Sequence, residues 1–314
     1  MKNSKNTAPK VFVILLNWNS VADTILCLRS LDKLDYTDAS ILVVDNNSTD
    51  NSVPELEMFK KNNPALDLEI IKNNENSGFA GGNNIGIDIA LERGADYVLL
   101  LNNDTEVSPD FITPLLSEAE KNDKAGIITP SIFFYDERDL LWFGGKTKIE
   151  WLRMEKAISN SLFKKKIYGD LISAKVNFLT GACMFIKRKV LEEVGGFDER
   201  FFLYFEDADL SLRMQKKGWS LFWTPYSKIW HKVSATTLPS LGSPGMHYYH
   251  HRNIMLLAEK HGPLWVKFYM HIWAFLKVSK QLFKILLGRD KEISSAIIKG
   301  ISDYYKRKFG KAYL

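Results

Sequence analysis

Two apolar runs that break off into acidic and amide side chains constrain this chain most. Tyr97-Val98-Leu99-Leu100-Leu101 passes directly into Asn102-Asn103-Asp104-Thr105, and Phe201-Phe202-Leu203-Tyr204-Phe205 into Glu206-Asp207-Ala208-Asp209. A short apolar run that stops at Asn and Asp reads as a buried strand delivering polar side chains to its carboxyl edge, which in open α/β sheets is the ligand-binding edge. The second run sits inside an aromatic loop, residues 195–205, and opens a short helix at 208–217.

The rest of the first half repeats the strand signature. Residues 11–16, 40–45, 68–72 and 97–101 read as strands, and 21–31, roughly 52–62 and 83–93 as helices between them. Gly94 is placed to end the last of these, and Ser108-Pro109 reads as the cap and first turn of another. A βαβαβαβ rhythm predicts an α/β, Rossmann-like, mostly parallel twisted sheet flanked by helices. Residues 127–135, 176–187 and 219–223 read as further strands, and 142–170 as an excursion built of a hairpin and a flexible loop with the basic run Lys164-Lys165-Lys166. From His247 the pattern is helical, so the chain divides into 1–245, an α/β unit, and 246–314, a C-terminal helical extension.

The chain has 314 residues, 46% hydrophobic and 25% charged, with a formal charge of +5 concentrated toward the C-terminus. So mild a basic bias suits anionic ligands or a membrane surface and gives no ground for nucleic-acid binding. Cys27 and Cys183 lie in apolar segments and read as reduced core residues. The polar first ten residues and the short run 11–16 do not make a cleavable signal peptide, so a cytoplasmic location is expected. Residues 263–287 interleave aromatics and aliphatics with Lys267, Lys277, Lys280 and Lys284, too much charge for a spanning helix. Two readings stay open for it: an amphipathic helix on the inner face of the membrane, or a helix packed on the catalytic unit.

Asp104 offers the hard oxygen that Mg²⁺ or Mn²⁺ needs, with Asn102 two residues before it, although a polar turn capping the next helix would use the same residues. Asp45 ends the second strand and suits a hydrogen bond from a pyrimidine ring or ribose hydroxyl; an Asx-turn is the alternative. The segment Asn76-Ser77-Gly78-Phe79-Ala80-Gly81-Gly82-Asn83-Asn84 precedes a helix, where glycines permit close backbone approach and the helix end favours anions. It is not the dinucleotide fingerprint, because the first strand leads into Asn17-Trp18-Asn19. Crowding of Glu206, Asp207 and Asp209 raises carboxyl pKa values toward those of a useful base, and Asp207 is the candidate, although the helix macrodipole also favours acids in a first turn. His231 suits a metal site or a diphosphate, and Arg252 a phosphate, while the adjacent His250-His251 cannot face one side of a helix as a zinc pair. A metal at one cluster and a base at the other point to group transfer from a phosphorylated donor.

Leu16-Asn17-Trp18-Asn19, Val44-Asp45-Asn46-Asn47-Ser48, the glycine-rich segment, Leu101-Asn102-Asn103-Asp104, Gly195-Gly196-Phe197-Asp198 and Glu206-Asp207-Ala208-Asp209-Leu210 follow one another in that order. This set resembles family 2 glycosyltransferases of the GT-A fold, particularly bacterial rhamnosyltransferase-like members, as do Tyr249-x-x-Arg252-Asn253 and the tail Gly300-x-x-Asp303-Tyr304 through Phe309-Gly310. The resemblance implies an inverting transferase using a nucleotide-diphosphate sugar, dTDP- or UDP-linked with rhamnose the first guess, and Mg²⁺ or Mn²⁺. The acceptor is a hydroxyl of a glycan or a lipid-linked molecule in surface polysaccharide synthesis. Asn17, Asp45, Asn76, Gly78, Asn83, Asn102 and Arg252 would bind the donor, Asp104 and His231 the metal, and Asp207 would be the base supported by Glu206 and Asp209. Asn102 departs from the family's Asp-x-Asp motif at its first position. A non-catalytic nucleotide- or glycan-binding module on the same fold is the competing expectation, with a nucleotidyltransferase weaker for want of a basic glycine-rich loop after the first strand. Peripheral membrane contact and homo-oligomerisation stay open.

Overall fold

The computed structural model describes residues 8–145, 147–156, 158–160, 164–166, 171–232 and 242–312. Strand and helix alternate through β1 (Val11–Asn17), α1 (Val21–Leu31), β2 (Ala39–Asp45), α2 (Ser52–Asn62), β3 (Leu68–Lys72), α3 (Gly78–Glu92), β4 (Tyr97–Asn102), β5 (Thr105–Val107) and α4 (Ile112–Lys121). The middle holds β6 (Ala125–Phe134), β7 (Leu140–Phe143), β8 (Thr147–Ile149), a 3₁₀ segment (Trp151–Lys156), β9 (Ile158–Asn160), β10 (Lys165–Lys166) and β11 (Ala174–Val176). Then come β12 (Cys183–Lys187), α5 (Arg188–Val194), α6 (Glu206–Lys216), β13 (Ser220–His231), α7 (Pro244–His261), α8 (Leu264–Leu286) and α9 (Lys291–Tyr305).

The central strands are nearly unbroken apolar runs up to their polar ends because both faces are covered. Val11, Val13 and Leu15 of β1 share one core with Cys27, Leu28 and Leu31 of α1, and Phe12 and Ile14 share the other with Ala80, Ile87 and Ala90 of α3. β3, β2, β1 and β4 lie side by side and parallel, as the rhythm predicts. Beyond β4 the sheet is mixed. β12 runs antiparallel between β4 and β6, β13 is parallel to β6, and β7 returns antiparallel along the other edge of β6. Both cysteines are buried and free, and burial pushes the Cys27 thiol up to about 12.

Several boundaries differ from the sequence reading. α3 starts at Gly78, so half of the expected glycine-rich loop is helix. α4 starts at Ile112, because Ser108 spends its N–H and hydroxyl on the Lys228 carbonyl and ties the loop to β13. The strand expected over 176–187 is two strands, β11 and β12, split by a turn at 177–182, and the last strand runs on to His231. Within the expected excursion, β8 and β9 form a hairpin around the 3₁₀ segment. The polar run Ser234-Ala235-Thr236-Thr237 lies outside the described residues.

The expected division at 245/246 falls in the first turn of α7, whose start is capped by the Ser243 hydroxyl. Ile254, Met255, Leu257 and Ala258 of α7, with Val266, Met270 and Ala274 of α8, belong to the same core as β1. The helical extension is thus docked on the sheet. α9 closes on α7 at Gly300, where an added Cβ would lie 2.5 Å from the Tyr248 carbonyl oxygen, and Tyr248 hydrogen-bonds Asp303 at 2.9 Å. Backbone cannot yield as a side-chain tip does. Gly300→Ala should therefore lower unfolding free energy by about 1–3 kcal/mol in urea titrations, in line with other overpacked sites.

Candidate active site

The strand register assembles one wall of the site. Asn17 at the end of β1 is paired with Asp45 at the end of β2, and Leu16 with Asn102 at the end of β4, so three polar strand ends share one edge of the sheet. Asp45 is 2% exposed and accepts from Asn17 Nδ2 (2.8 Å) and the Ser48 hydroxyl (2.6 Å) at Oδ2, and from the Ser48 N–H (3.0 Å) at Oδ1. The Asx-turn and the site residue are thus the same side chain. Three bonds leave one of the roughly four acceptor positions of a carboxylate open. Asn17 Oδ1 accepts from Thr24, which in turn accepts from Asn103, linking the ends of β1 and β4.

Trp18, next in the chain, is 53% exposed at this edge, and Asn19 beside it is tied to Ser48 and Thr49. The sequence reading quoted Trp18 without giving it a role; a flat exposed aromatic beside Asp45 is a surface on which a base can stack.

The glycine-rich segment does other work than expected. The space over the Gly78 Cα is filled by Phe202, whose carbonyl oxygen would lie 2.4 Å from an added Cβ and which accepts the Ala80 N–H. Gly78 has a φ of +75°, which glycine adopts without strain. Asn83 is buried with its amide on the Phe79 carbonyl, and Asn76 Oδ1 accepts from Asn46 Nδ2 and the Gly78 N–H. Gly78 and Asn83, expected at the donor, are engaged in building the entry of α3.

β5 and β13 bring a distant histidine to Asp104. Their antiparallel register pairs His231 with Thr105, and Lys232 N–H donates to the Asp104 carbonyl. His231 Nε2 then lies 3.0 Å from Asp104 Oδ1 and 3.4 Å from Asn102 Nδ2, with Asp104 and His231 both buried. Trp142 packs edge-on against the His231 ring at 4.8 Å. One carboxylate and one imidazole converging beside an amide fit a divalent ion that completes its shell with phosphate oxygens and water. Asp104 and His231 would hold such an ion. Outside this cluster, beside Asp104, a cavity of about 430 Å³ is bounded by Arg138 and Lys232, whose charges are engaged with Glu106 and Asp23.

Asp207 stands at the start of α6, partly exposed. Its Oδ2 accepts the Gly181 N–H at 3.0 Å and its Oδ1 the Ala208 N–H at 2.7 Å. The residue after Gly181, Ala182, accepts the Asn102 N–H at 2.9 Å. Asp207 and the end of β4 therefore hang on one three-residue segment, which sequence reasoning missed because nothing in Thr180-Gly181-Ala182 marks it. Burial raises the Asp207 carboxyl to about 6, against the pull of those two N–H groups. Glu206 is buried and pushed well above the ordinary range by burial and then by the Asp207 charge; its Oε2 has no hydrogen-bond partner among the described residues.

Two expected site residues are structural. Asp209 is fully buried and takes Lys260 Nζ at 2.5 Å, His261 Nε2 at 2.7 Å and Arg213 Nε at 2.7 Å. Burial works against its ionisation, but the bonds from His261 and Lys260 and the Arg213 charge hold it below the usual range. It fastens α6 to α7. Arg252 is also fully buried, with Nη1 on the Gly310 carbonyl and Tyr248 hydroxyl, Nη2 on the Arg200 and Phe201 carbonyls, and Nε on Asn253. No donor is left for a phosphate. Asn253, quoted in the sequence only as part of a motif, donates to the Phe201, Leu203 and Tyr204 carbonyls. Together they clamp the aromatic loop, in which Phe202, Tyr204 and Phe205 all have positive φ.

A model of the glycosyl transferase family 2 domain matches residues 12–195, more than half of the chain. The chain belongs to glycosyl transferase family 2. It is a glycosyltransferase, and the match takes in Asn17, Asp45 and Asp104 while ending before Asp207 and His231. The N-acetylglucosaminyl-diphospho-decaprenol L-rhamnosyltransferase of Mycobacterium tuberculosis is 26% identical over 256 residues, covering 76% of this chain and 80% of the relative. Among solved structures, a mannosyltransferase from Pyrobaculum calidifontis in complex with GDP-Man and Mn²⁺ aligns with a TM-score of 0.56 at 15% identity, over 96% of this chain and 89% of that one. GalNAc-T7 with UDP, GalNAc and Mn²⁺ aligns with a TM-score of 0.60 at 17% identity, over 71% of this chain and 43% of that one. These two likenesses establish the GT-A fold.

Two outcomes follow from the geometry. A carboxyl whose folded pKa is raised binds more protons in the folded state, so it costs stability above about pH 6 and nothing below the unfolded value near pH 4. Asp207→Asn should therefore melt higher than wild type at about pH 8, with the gap closing toward about pH 4 in a pH series of calorimetric scans. Asn253→Ala strips donors from three loop carbonyls and should cost about 1–3 kcal/mol by chemical denaturation.

Proposed function

We propose that this family member is an inverting glycosyltransferase that moves a sugar from a dTDP- or UDP-linked donor to a hydroxyl of a glycan or lipid-linked acceptor in surface polysaccharide synthesis. Rhamnose is the first candidate sugar, a choice supported by the likeness to the mycobacterial L-rhamnosyltransferase. The observation that carries the reading is the arrangement around Asp207: a half-open carboxylate with a pKa near 6, joined through Gly181 and Ala182 to the strand that bears Asn102 and Asp104.

In this reading Asp45 uses its remaining acceptor position on the base or ribose, Asn17 holds Asp45 in place, and Trp18 offers a stacking face. Asn76, half-buried beside Asn46, lies at the same edge. Asp104 and His231, with Asn102 beside them, would hold Mg²⁺ or Mn²⁺, which when bound would offset the charge gathering on the departing diphosphate. Asp207 takes the acceptor hydroxyl's proton as that oxygen attacks the anomeric carbon from the face opposite the diphosphate. The backbone N–H groups of Gly181 and Ala208 fix the carboxylate's direction, and buried Glu206 withholds a competing base from the acceptor. The aromatic loop walls off water, which would otherwise compete as acceptor.

The test is a donor screen by thermal shift with dTDP-rhamnose and common UDP-sugars in the presence of Mn²⁺, followed by transfer assays. Asp207→Asn should lose about 10²–10⁴-fold in transfer rate while binding the donor as wild type does. Transfer at the wild-type rate by this variant would remove Asp207 as the base. Donor binding by wild type with no turnover on any acceptor would favour a non-catalytic nucleotide-sugar module instead.

A further inference from the structure

One face of α8 is unlike the rest of the molecule. Val266, Met270, Ala274 and Gln281 turn inward and are buried. On the opposite side Phe268, Ile272, Phe275, Leu276, Phe283 and Leu286 are each 59–84% exposed, and no described residue packs over them. At 1.5 Å per residue this stripe runs along a helix of about 34 Å. Exposed apolar residues scattered singly are ordinary, but a continuous stripe of this length marks a contact surface.

The charge around the stripe selects the occupant. α8 has no Asp or Glu, and at 100° per residue Lys280 and Lys284, the latter also paired with Asp290, fall along one flank of the stripe and Lys267 on the other, while Lys277 turns toward the buried side over the Trp273 ring. The bias extends beyond the helix: residues 242–314 carry thirteen Lys and Arg against four Asp and Glu. A second copy of this chain is a poor match, since an isologous pairing would set one acid-free, lysine-flanked stripe against another. No described helix is long and apolar enough to cross a membrane. An apolar face rich in Phe and Leu with lysines along its edges matches the boundary between acyl chains and acidic headgroups.

We infer that α8 docks the protein on an anionic lipid surface, lying in the plane of the interface with its Phe-rich stripe among the acyl chains and its lysines at the phosphates. The helix is connected to the catalytic side. Tyr269 donates to the carbonyl of Leu152, itself 66% exposed, in the 3₁₀ segment after β8. Thr147 of β8 is hydrogen-bonded to Phe178, three residues before the Gly181 that holds Asp207. Docking through α8 therefore orients the Asp207 side of the site relative to the lipid surface. The inference itself rests on the helix and not on the transfer reaction.

The experiment is co-sedimentation of the full chain with vesicles of phosphatidylcholine alone or with about one-third phosphatidylglycerol, at low and high salt, requiring no donor or acceptor. Wild type should bind the acidic vesicles at least about tenfold better than the neutral ones and be released by salt. Phe268→Ser, Phe275→Ser and Phe283→Ser combined should abolish pelleting on both. Lys267→Gln, Lys280→Gln and Lys284→Gln combined should erase the preference for acidic lipid, a change on the order of a hundredfold. All three substituted phenylalanines are exposed, so unchanged thermal melting verifies that the variants are folded. Wild type that stays in the supernatant, or that binds both vesicles equally, overturns the inference. So does a dimer in sedimentation velocity that the phenylalanine substitutions dissolve, since a second copy would then cover the stripe.

Discussion

The site depends on two hydrogen bonds made by peptide groups one residue apart. Gly181 gives its N–H to Asp207, and Ala182 takes the N–H of Asn102. The first fixes the candidate base and the second fixes the strand end that leads to Asp104. Because peptide units are rigid, the turn at 180–182 sets the relation between the two acidic clusters more firmly than side-chain contacts could. Gly181 has little room to change: an added Cβ would press on the Phe79 ring at 3.2 Å.

Around that turn, charge is buried only where it is matched. Arg252 has no exposed surface and spends its donors on carbonyls, a hydroxyl and an amide, and Asp209 has none and meets three cationic or imidazole partners. Such groups are costly to strip of a partner, so they enforce one geometry even where an apolar replacement of both would be as stable. What they enforce is the aromatic loop. Three non-glycine residues there hold a left-handed backbone that costs on the order of 1 kcal/mol or more each, and Asn253 and Arg252 secure the carbonyls between them. The strain lets the chain reverse just ahead of Glu206 and present Asp207 at the first turn of a helix. Glu206, buried beside it, and Asp207, half-open, thereby meet different environments although they are neighbours in sequence.

Much of the first half was legible in the residues. β1 to β4 and the helices between them lie within a residue or so of the expected positions, apart from the early start of α3, because two-sided burial demands unbroken apolar runs and the polar interruptions mark their ends. Asp45 and Asp104 were visible as those interruptions. Gly78, Asn83, Asp209 and Arg252 were visible as unusual residues, and in the fold they are engaged in packing and clamping, which glycine, amide and charge serve as readily as ligand binding. The mixed half of the sheet was not legible, because the direction in which β12 and β13 pair depends on where their partners lie and not on their own composition.

The sequence by itself determined which segments are buried strands, that their carboxyl ends are polar, and that the C-terminal helix carries both apolar and basic residues. These are local properties, written by the periodicity and polarity of adjacent residues. Tertiary structure decided which polar groups meet. His231 reaches Asp104 only because β13 pairs with β5 in one register, Asp207 reaches Gly181 only because the aromatic loop is clamped, and the apolar face of α8 is left uncovered only because its other face is docked. Contacts between residues tens to more than a hundred positions apart follow from how the chain closes on itself, and no short stretch of sequence carries that information.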